Sequence, residues 1–538
     1  MQFPDYPLYI VTGSVMAELD RKSIEERGIS GLFLMERAGE SVAQHLISIF
    51  PPDLLHQTVI LCGKGNNGGD GFVIARHLYE QGYSPRTVLL GRPDELRGDA
   101  LRSYHLLSAT GANFNACHNE EELIRFVLSC SSSRVWVDAL LGTGSRGAPR
   151  GLYRKAIEFI NERQANNWVI SVDIPTGVDS NTGNVADMAV EADYCFTMGL
   201  PKVGHVLPPG MDYCRNLVVL NIGFPIDLLK DAVSDAEMIT AQLVHSWIPQ
   251  RSPSSHKGSQ GHLLVVAGSR GMTGAALMCA KAAVLTGSGL VTTACPTSLL
   301  SLYASGVWEM LTLPVPETEA GSFAEAAWEH LSEVRKISAA VIGPGMGRHP
   351  ETQAFIKKFI KNVQFPLVVD GDGLNALSQQ DIAARVYPTI LTPHPGEMAR
   401  LCDTHISNIQ SDRWGYATKL AQATGSVVLL KGRRTVVASE TGGLYVNPTG
   451  TSAMASGGMG DVLAGMIASL LGQGVAPLQA AAAGAYLHGL AAEIQVRETG
   501  AETVCATQVI DRIQPALAQI RPRKRITATL VSPRGSIA

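Results

Sequence analysis

Charge is sparse in this 538-residue chain: Asp, Glu, Lys and Arg make up 17% of it, and the formal net charge is -4. Nothing general in that balance attracts a polyanion, so a nucleic-acid partner is not expected. The basic run from Arg521 to Arg525 reads as a solvated tail. The nine cysteines form no CxxC pair and no metal-ligand spacing, which argues against a disulfide framework or a zinc site and fits a reducing cytosol. No apolar run approaches the ~20 residues of a membrane span. The stretch from Met1 to Ile10 contains Asp5, two prolines and no basic n-region, unlike a signal peptide. The expectation is a cytoplasmic enzyme acting on small molecules, without nucleic-acid or membrane partners and self-associating as large α/β enzymes often do. At this length roughly two to four domains are expected.

Short β-rich runs alternate with helical stretches in the first half. Strands are expected at Thr58 to Cys62, Thr87 to Leu90, Val135 to Asp138 and Trp168 to Asp173, with helices at Val15 to Arg27, Leu32 to Phe50, Phe72 to Glu80 and Tyr153 to Asn161. Such alternation predicts a parallel sheet covered by helices on both faces. The pattern weakens from about Phe224 to Pro253, where a domain boundary is expected, and then restarts. Further strands are read at His262 to Ala267, Gly289 to Ala294, Ala339 to Ile342, Leu367 to Asp370, Thr389 to Thr392 and Val427 to Lys431, and a buried helix around Ala480 to Ala492. No repeat links the halves.

Two glycine-rich loops, each closing on an aspartate, mark two candidate sites: Gly63-Lys64-Gly65-Asn66-Asn67-Gly68-Gly69-Asp70 and Gly457-Gly458-Met459-Gly460-Asp461. Both lead into helix-like stretches, where bare backbone N–H groups and the helix dipole favour phosphate. The first satisfies G-x-G-x-x-G, but the next strand ends in Gly91-Arg92 and lacks the acid that a dinucleotide oxidoreductase uses on the ribose. Asp138 and Asp173 also end β-runs ahead of glycine-containing loops, at the edge where parallel sheets bind ligands. Asn67, Asp138 and Thr176 offer oxygen ligands suited to a hard cation. Asp173, its loop stiffened by Pro175, can serve as acid or base.

These residues, with Leu34-Met35-Glu36-Arg37-Ala38-Gly39, Asp173-Ile174-Pro175-Thr176-Gly177-Val178-Asp179 and Gly199-Leu200-Pro201-Lys202, resemble the NAD(P)H-hydrate epimerase domain through nearly all of residues 10 to 224. The resemblance implies that Asn66, Asn67, Gly68, Gly69 and Asp70, with Gly142, Thr143, Gly144, Ser145, Arg146, Gly147 and Ala148, hold the hydrated nucleotide. It further implies that Asn67, Asp138 and Thr176 bind potassium and that Asp173 contacts substrate. A carboxylate that removes and returns a proton would interconvert the R and S carbinolamines, a role expected of Asp173. Lys202 is either a second participant or a solvated charge.

At the second loop the glycines can close around an oxyanion while Asp461 acts as base for a hydroxyl beside it. No Walker sequence occurs there. The loop resembles the anion hole and catalytic aspartate of ribokinase-fold kinases. Together with Gly268-Ser269-Arg270-Gly271-Met272-Thr273-Gly274-Ala275, the loop from Ile342 to Gly347, Val369 to Asn375, Thr392 to Glu397 and Lys431 to Thr435, it resembles the NAD(P)H-hydrate dehydratase domain over about residues 240 to 520. That implies Lys431, Gly432, Arg433, Arg434, Thr435 and Gly460 on the adenine nucleotide, and Ala275, Gly345, His394 and Asp461 on the hydrated substrate. Taken alone, His394 could equally be a turn histidine, and Lys431 to Thr435 an ordinary basic hairpin. ADP is the implied phosphoryl donor, although ATP is not excluded by the residues, and Mg²⁺ is expected on chemical grounds.

The combined expectation is an α/β protein of two three-layer αβα domains. Residues 1–224 would be a Rossmann-like epimerase, 225–240 a linker, 241–525 a ribokinase-like ADP-dependent dehydratase acting on the S epimer, and 526–538 a tail. The competing readings are a vitamin-type kinase fused to a nucleotide-sensing domain, and a non-catalytic binding protein.

Overall fold

The computed structural model describes residues 7–112, 114–234 and 236–521; the expected tail at 526–538, positions 522–525 of the basic run and positions 1–6 lie outside them. The chain divides into two compact units. One comprises Met1–Met238, Cys402–Lys419 and Thr441–Val446, the other Ile239–Leu401, Leu420–Glu440 and Asn447–Ala538.

The first unit is built on a seven-stranded sheet in the order Phe114–Cys117, Arg86–Leu90, Thr58–Cys62, Val135–Ala139, Trp168–Val172, Ala192–Met198, Cys214–Leu220. Every pairing in it is parallel. The inner strands Thr58–Cys62 and Val135–Ala139 are buried along their whole length, as a sheet covered on both faces requires. Helix Asn66–Glu80 packs between Gly31–Ile49 and Gly98–Ala109, and it can do so because Gly69 carries no side chain: a Cβ there would lie 2.6 Å from Met35 Sδ and 3.1 Å from Ala100 Cα. On the other face Leu123, Phe126, Ile157 and Ile160 join Val59, Leu61, Val88 and Trp136 in one core. A short ribbon also belongs to this unit, in which Glu237 pairs antiparallel with Tyr9 and parallel with Tyr445.

The second unit carries parallel strands in the order Val427–Leu430, Thr389–Leu391, Leu367–Val369, Ala339–Ile342, His262–Val266, Leu290–Pro296, Leu311–Val315, with Val436–Ala438 antiparallel beside Val427–Leu430. The helix read around Ala480 to Ala492 extends over Pro477–Thr499, and its central residues are buried. Helix Met459–Gly472 begins after Gly458, whose φ of 89° is a left-handed conformation that glycine adopts without penalty, and packs closely on Thr273–Thr286.

Two expectations need correction. Helix Asn66–Glu80 starts at Asn66 rather than Phe72, because the Asn-Asn-Gly-Gly run, although poor in helix propensity, is held by packing against its neighbours. The strand ending at Asp173 stops at Val172, since Asp173 turns to φ 66°.

The approach of Met459–Gly472 to Thr273–Thr286 is so close that a Cβ on Gly465 would lie 2.1 Å from the Cys279 carbonyl oxygen. Gly465→Val is therefore expected to destabilise the second unit by about 1–3 kcal/mol, the usual penalty of overpacking. Gly472→Ala, whose Cβ would meet Ala339 at an ordinary 3.6 Å, should be neutral or stabilising; urea unfolding followed by circular dichroism compares the two.

Candidate active sites

In the first unit, Gly63 donates its N–H to Ala139 O at 2.9 Å, and helix Asn66–Glu80 follows with Gly65 as an N-cap that supplies no side-chain hydrogen bond. Side chains are excluded from this turn: a Cβ on Gly63 or Gly68 would lie 1.9 Å from the Leu140 or Gly63 carbonyl oxygen, respectively. Asn66 to Asp70 thus form the first turn of the helix rather than a loop before it. That arrangement still presents N-terminal N–H groups, the feature that attracts an anion.

Beneath this turn Asp138 is fully buried. Its carboxylate accepts from Ser171 Oγ (2.9 Å), Thr176 N (2.9 Å), Thr176 Oγ1 (2.6 Å) and Leu140 N (3.2 Å). Burial pushes its pKa up, against those hydrogen bonds. Asn67, also buried, has no hydrogen-bond partner at either side-chain amide atom. An orphaned amide of that kind is unfavourable unless a ligand satisfies it.

Asp173 occupies a three-residue turn at φ 66°, closed by a 2.9 Å bond from Ile174 N to Val172 O. Such strain persists where surrounding bonds impose it. Its Oδ1 accepts from Lys202 Nζ at 2.8 Å and its Oδ2 from Thr143 N at 3.2 Å. Lys202 is fully buried, so it is not a solvated charge. Its ammonium also donates to Thr197 Oγ1 (2.7 Å) and Met198 O (3.1 Å). Burial would raise the Asp173 pKa, but the charge and hydrogen bond of Lys202 outweigh it and hold the carboxyl below its ordinary range. Around the pair stand two acids whose pKa values burial raises: Asp20, pushed up to about 6, and Asp70, pushed well above the usual range with help from Asp173 and Asp20. The Gly142 to Ala148 loop contributes Gly142, Ser145 and Gly147 to a cavity of about 230 Å³ shared with Gly177 and Asp179.

In the second unit several candidate residues follow the carboxyl ends of parallel strands. Asp370 comes after Leu367–Val369, Thr392 to His394 after Thr389–Leu391, and Lys431 after Val427–Leu430. Lys431 Nζ donates to Asp370 Oδ1 at 2.7 Å and lies 3.8 Å from Glu397 Oε2. Burial alone would lower the Lys431 pKa; Asp370, Glu397 and Asp461 raise it instead. A Cβ on Gly460 would sit 3.4 Å from Lys431 Nζ and 3.6 Å from Asp370 Oδ2, which puts the second glycine loop directly against this pair. Asp461, in the first turn of its helix, is pushed up to about 6 by burial and Asp370, opposed by Lys431. Glu397 is pushed up to about 7, again by burial first.

Ala275 and Gly345 are brought together: a Cβ on Gly345 would lie 2.8 Å from that of Ala275, and Ser269 Oγ donates to Gly345 O at 2.9 Å. His394 does act at a turn, its Nδ1 accepting from Gly396 N at 3.0 Å, while its own N–H donates to Glu397 Oε2 at 2.8 Å. Lys431 to Thr435 does form a hairpin connection: Thr435 Oγ1 donates to Gly432 O and Arg434 Nη1 to Pro448 O, Gly432 and Arg433 are exposed, and Lys431 turns inward. Asp20 and His205 escaped the sequence reading, because no local pattern singles out one acid in helix Gly13–Glu25 or one histidine beyond Lys202.

Each unit thus presents charged residues at the carboxyl edge of a parallel α/β sheet, the arrangement of a two-site α/β enzyme. A family model described as NAD(P)H-hydrate dehydratase matches residues 263–515, and one described as YjeF-related protein N-terminus matches residues 31–204. The bifunctional NAD(P)H-hydrate repair enzyme Nnr of Moorella thermoacetica is 40% identical over 94% of this chain and 96% of its own, and that of Thermofilum pendens 38% identical over 94% and 95%. Among solved structures, the ADP/ATP-dependent NAD(P)H-hydrate dehydratase of Bacillus subtilis, co-crystallised with ATP and Mg²⁺, is 30% identical over 53% of this chain and 98% of its own, with a TM-score of 0.48. The chain belongs to the family of bifunctional NAD(P)H-hydrate repair enzymes. It is an enzyme with an NAD(P)H-hydrate epimerase domain followed by an NAD(P)H-hydrate dehydratase domain.

The charge balance of the second site yields a test. Lys431 lowers the Asp461 pKa, so Lys431→Met should raise it. The Asp461 carboxyl, which titrates near pH 6 in the parent protein, should then titrate at higher pH. Carboxyl ¹³C resonances assigned by their loss in Asp461→Asn measure the shift.

Proposed function

We propose that residues 1–224 epimerise the R and S forms of NADH and NADPH hydrates, and that residues 241–525 dehydrate the S form at the expense of ADP, giving AMP and phosphate. The observation that carries this reading is the contrast between a carboxylate at a strand end, Asp173, and one in the first turn of a helix, Asp461. Asp173 is held below its ordinary range beside a buried lysine, and Asp461 is poised at about 6. An ionised Asp173 takes the proton of the substrate hydroxyl as the carbinolamine C–N bond opens to a carbonyl, the ring nitrogen taking a proton from Lys202; the reverse steps close the ring on either face of that carbonyl and so interconvert the epimers. In this reading the N-terminal turn at Asn66 to Asp70 and the Gly142 to Ala148 loop hold the nucleotide.

At the second site Asp461 removes the hydroxyl proton as that oxygen attacks the phosphoryl group. Cleavage of the bond between the terminal phosphorus of ADP and its bridging oxygen releases AMP; phosphate, a better leaving group than hydroxide, then departs from the ring carbon as the neighbouring carbon gives up a proton to solvent, which restores the double bond of the reduced nicotinamide. A base with a pKa near the working pH suits this step, since it is largely ionised yet still accepts a proton readily. Ala275, Gly345 and His394 are assigned to the hydrated substrate. Lys431 to Thr435 and Gly460 are assigned to the adenine nucleotide, Lys431 being the member of that run best placed to meet phosphate charge.

The unsatisfied amide of Asn67, the carboxylate of Asp138 and the hydroxyl of Thr176 form an oxygen-donor set that fits potassium better than a soft metal. Bound there, the ion would supply positive charge facing the nucleotide. No group of three or more His, Cys, Asp and Glu able to hold a metal ion occurs among the described residues, so Mg²⁺ is assigned to the phosphates of the nucleotide itself. No helix among the described residues is long and apolar enough to cross a membrane.

The activities should separate by mutation. Asp173→Asn is expected to abolish R-to-S conversion while dehydration of purified S epimer continues at the parental rate, and Asp461→Asn should do the reverse. Chiral chromatography reports the first activity, and recovery of the reduced-nicotinamide absorbance with phosphate release reports the second. A phosphorylated product that accumulated without phosphate release would instead favour a vitamin-type kinase. Because the folded-state pKa of Asp461 is raised, its ionised form disfavours folding at neutral pH, and Asp461→Asn should leave the thermal midpoint unchanged or higher.

A further inference from the structure

His205 is fully buried and forms a bridge between the backbones of the two residues that make the Asp173–Lys202 ion pair. Its Nδ1 accepts the Lys202 N–H at 3.0 Å, and its Nε2 lies 2.9 Å from the Asp173 carbonyl oxygen. A nitrogen that accepts a backbone N–H carries no proton, and a carbonyl oxygen only accepts. The two contacts are satisfied together only by the neutral ring with its hydrogen on Nε2.

The need for such a bridge follows from the backbone. Asp173 stands at a positive φ that a non-glycine residue rarely adopts, and it follows the last residue of strand Trp168–Val172. Its N–H is fixed to Phe196 O at 2.7 Å, and its carbonyl is met by His205 Nε2 at 2.9 Å and, as a weaker donor, by the Cys195 thiol at 3.5 Å. Lys202 lies in a connection between parallel strands Ala192–Met198 and Cys214–Leu220 that contains only short 3₁₀ turns, Val203–His205 and Gly210–Tyr213. Val11 N donates to Pro201 O and Val203 N to Val11 O, both holding that connection from the far side.

We propose that His205 is a positioning residue for epimerisation, whose neutral imidazole ties the Asp173 carbonyl to the Lys202 amide and so fixes the carboxylate and the ammonium in register. The inference rests on the assignment of Asp173 and Lys202 to that reaction. His205 has no exposed surface and acts through them. The turn would otherwise relax toward an ordinary backbone conformation, swinging the carboxylate away from Lys202 Nζ and Thr143 N. Misplacement of a reacting group by about 1 Å is enough to cost on the order of 100-fold in rate.

The test uses the full chain without ADP, so that only R-to-S conversion is read, for His205→Phe, His205→Gln and Asp173→Asn. His205→Phe should lower kcat by about 10- to 100-fold with KM changed less than threefold. His205→Gln, which can still donate to the Asp173 carbonyl, should recover part of the loss. Dehydration of purified S epimer with ADP should stay at the parental rate in both variants. In the unsubstituted protein, ¹⁵N-histidine resonances assigned by their loss in His205→Gln should show the neutral Nε2–H tautomer at neutral pH. That measurement stands even if His205→Phe fails to fold. An imidazolium or Nδ1–H signature, a kcat within twofold of the parent in His205→Phe, or a loss confined to KM would each overturn the proposal. Asp173→Asn separates the two levels of failure: if it retains full epimerisation, the assignment of Asp173 itself is wrong, whereas if it is inactive while His205→Phe is not, only the role of His205 falls.

Discussion

Buried lysines set against strand-edge carboxylates are the interaction on which both sites depend. A carboxylate withdrawn from water is driven toward its neutral form unless a cation or several donors compensate it. In the first unit all three ammonium hydrogens of Lys202 have acceptors, in Asp173, Thr197 and Met198, so the charge is fixed in one direction and Asp173 stays ionised. In the second unit Lys431 is shared among Asp370, Glu397 and Asp461. Divided in that way it compensates none of them completely, and Glu397 and Asp461 are left near neutrality. Similar ingredients therefore yield a firmly ionised group in one unit and readily titrating groups in the other.

The sheets explain why those charges can be gathered at all. Parallel strands all deliver their carboxyl ends to one edge, and the connections leaving that edge have freedom that the strands lack. In the first unit the connections after Val172 and after Met198 contain no α-helix, although a parallel crossover ordinarily uses one. These irregular segments carry Asp173, Thr176, Lys202 and His205. Their backbone is instead tied down by specific bonds, such as Val190 N to Thr176 O and Gly204 N to Ser180 O. Rigidity that a helix would have provided comes from hydrogen bonds between the functional segments themselves.

Much of this was legible in the sequence because the informative signals are local. Thr58–Cys62 and Ala339–Ile342 were read to the residue, and the other inner strands except Ala192–Met198, which was not read, to within one or two, because buried parallel strands are short unbroken apolar runs. The glycine loops were legible because close backbone approach demands glycine, as the 1.9 Å clearances at Gly63 and Gly68 make plain. Strand Cys214–Leu220 was missed: it carries Arg215 and Asn216 at an outer position of the sheet, where polar residues are tolerated and the apolar signal fades. Asp20 was invisible for a different reason. Helix Gly13–Glu25 also bears Glu18 and Glu25, which form exposed pairs with Arg21, and only the fold distinguishes the acid that turns toward Lys202.

The same physics separates the two aspartates that close the glycine loops. Asp70 and Asp461 occupy like positions in sequence, each within the first turn and a half of a helix whose positive end favours the ionised form. Burial opposes that preference at both, so the neighbouring charges decide. Asp70 faces two more acids, and the lysine nearest it is already engaged with Asp173; its carboxyl is driven furthest toward the neutral form. Asp461 faces Asp370, but Asp370 is itself bonded to Lys431, and the remaining repulsion raises Asp461 only to about 6. A proton is therefore held more firmly at Asp70 than at Asp461, and the glycine-aspartate motif acquires its chemistry from the nearest lysine and that lysine's other partners rather than from its own sequence.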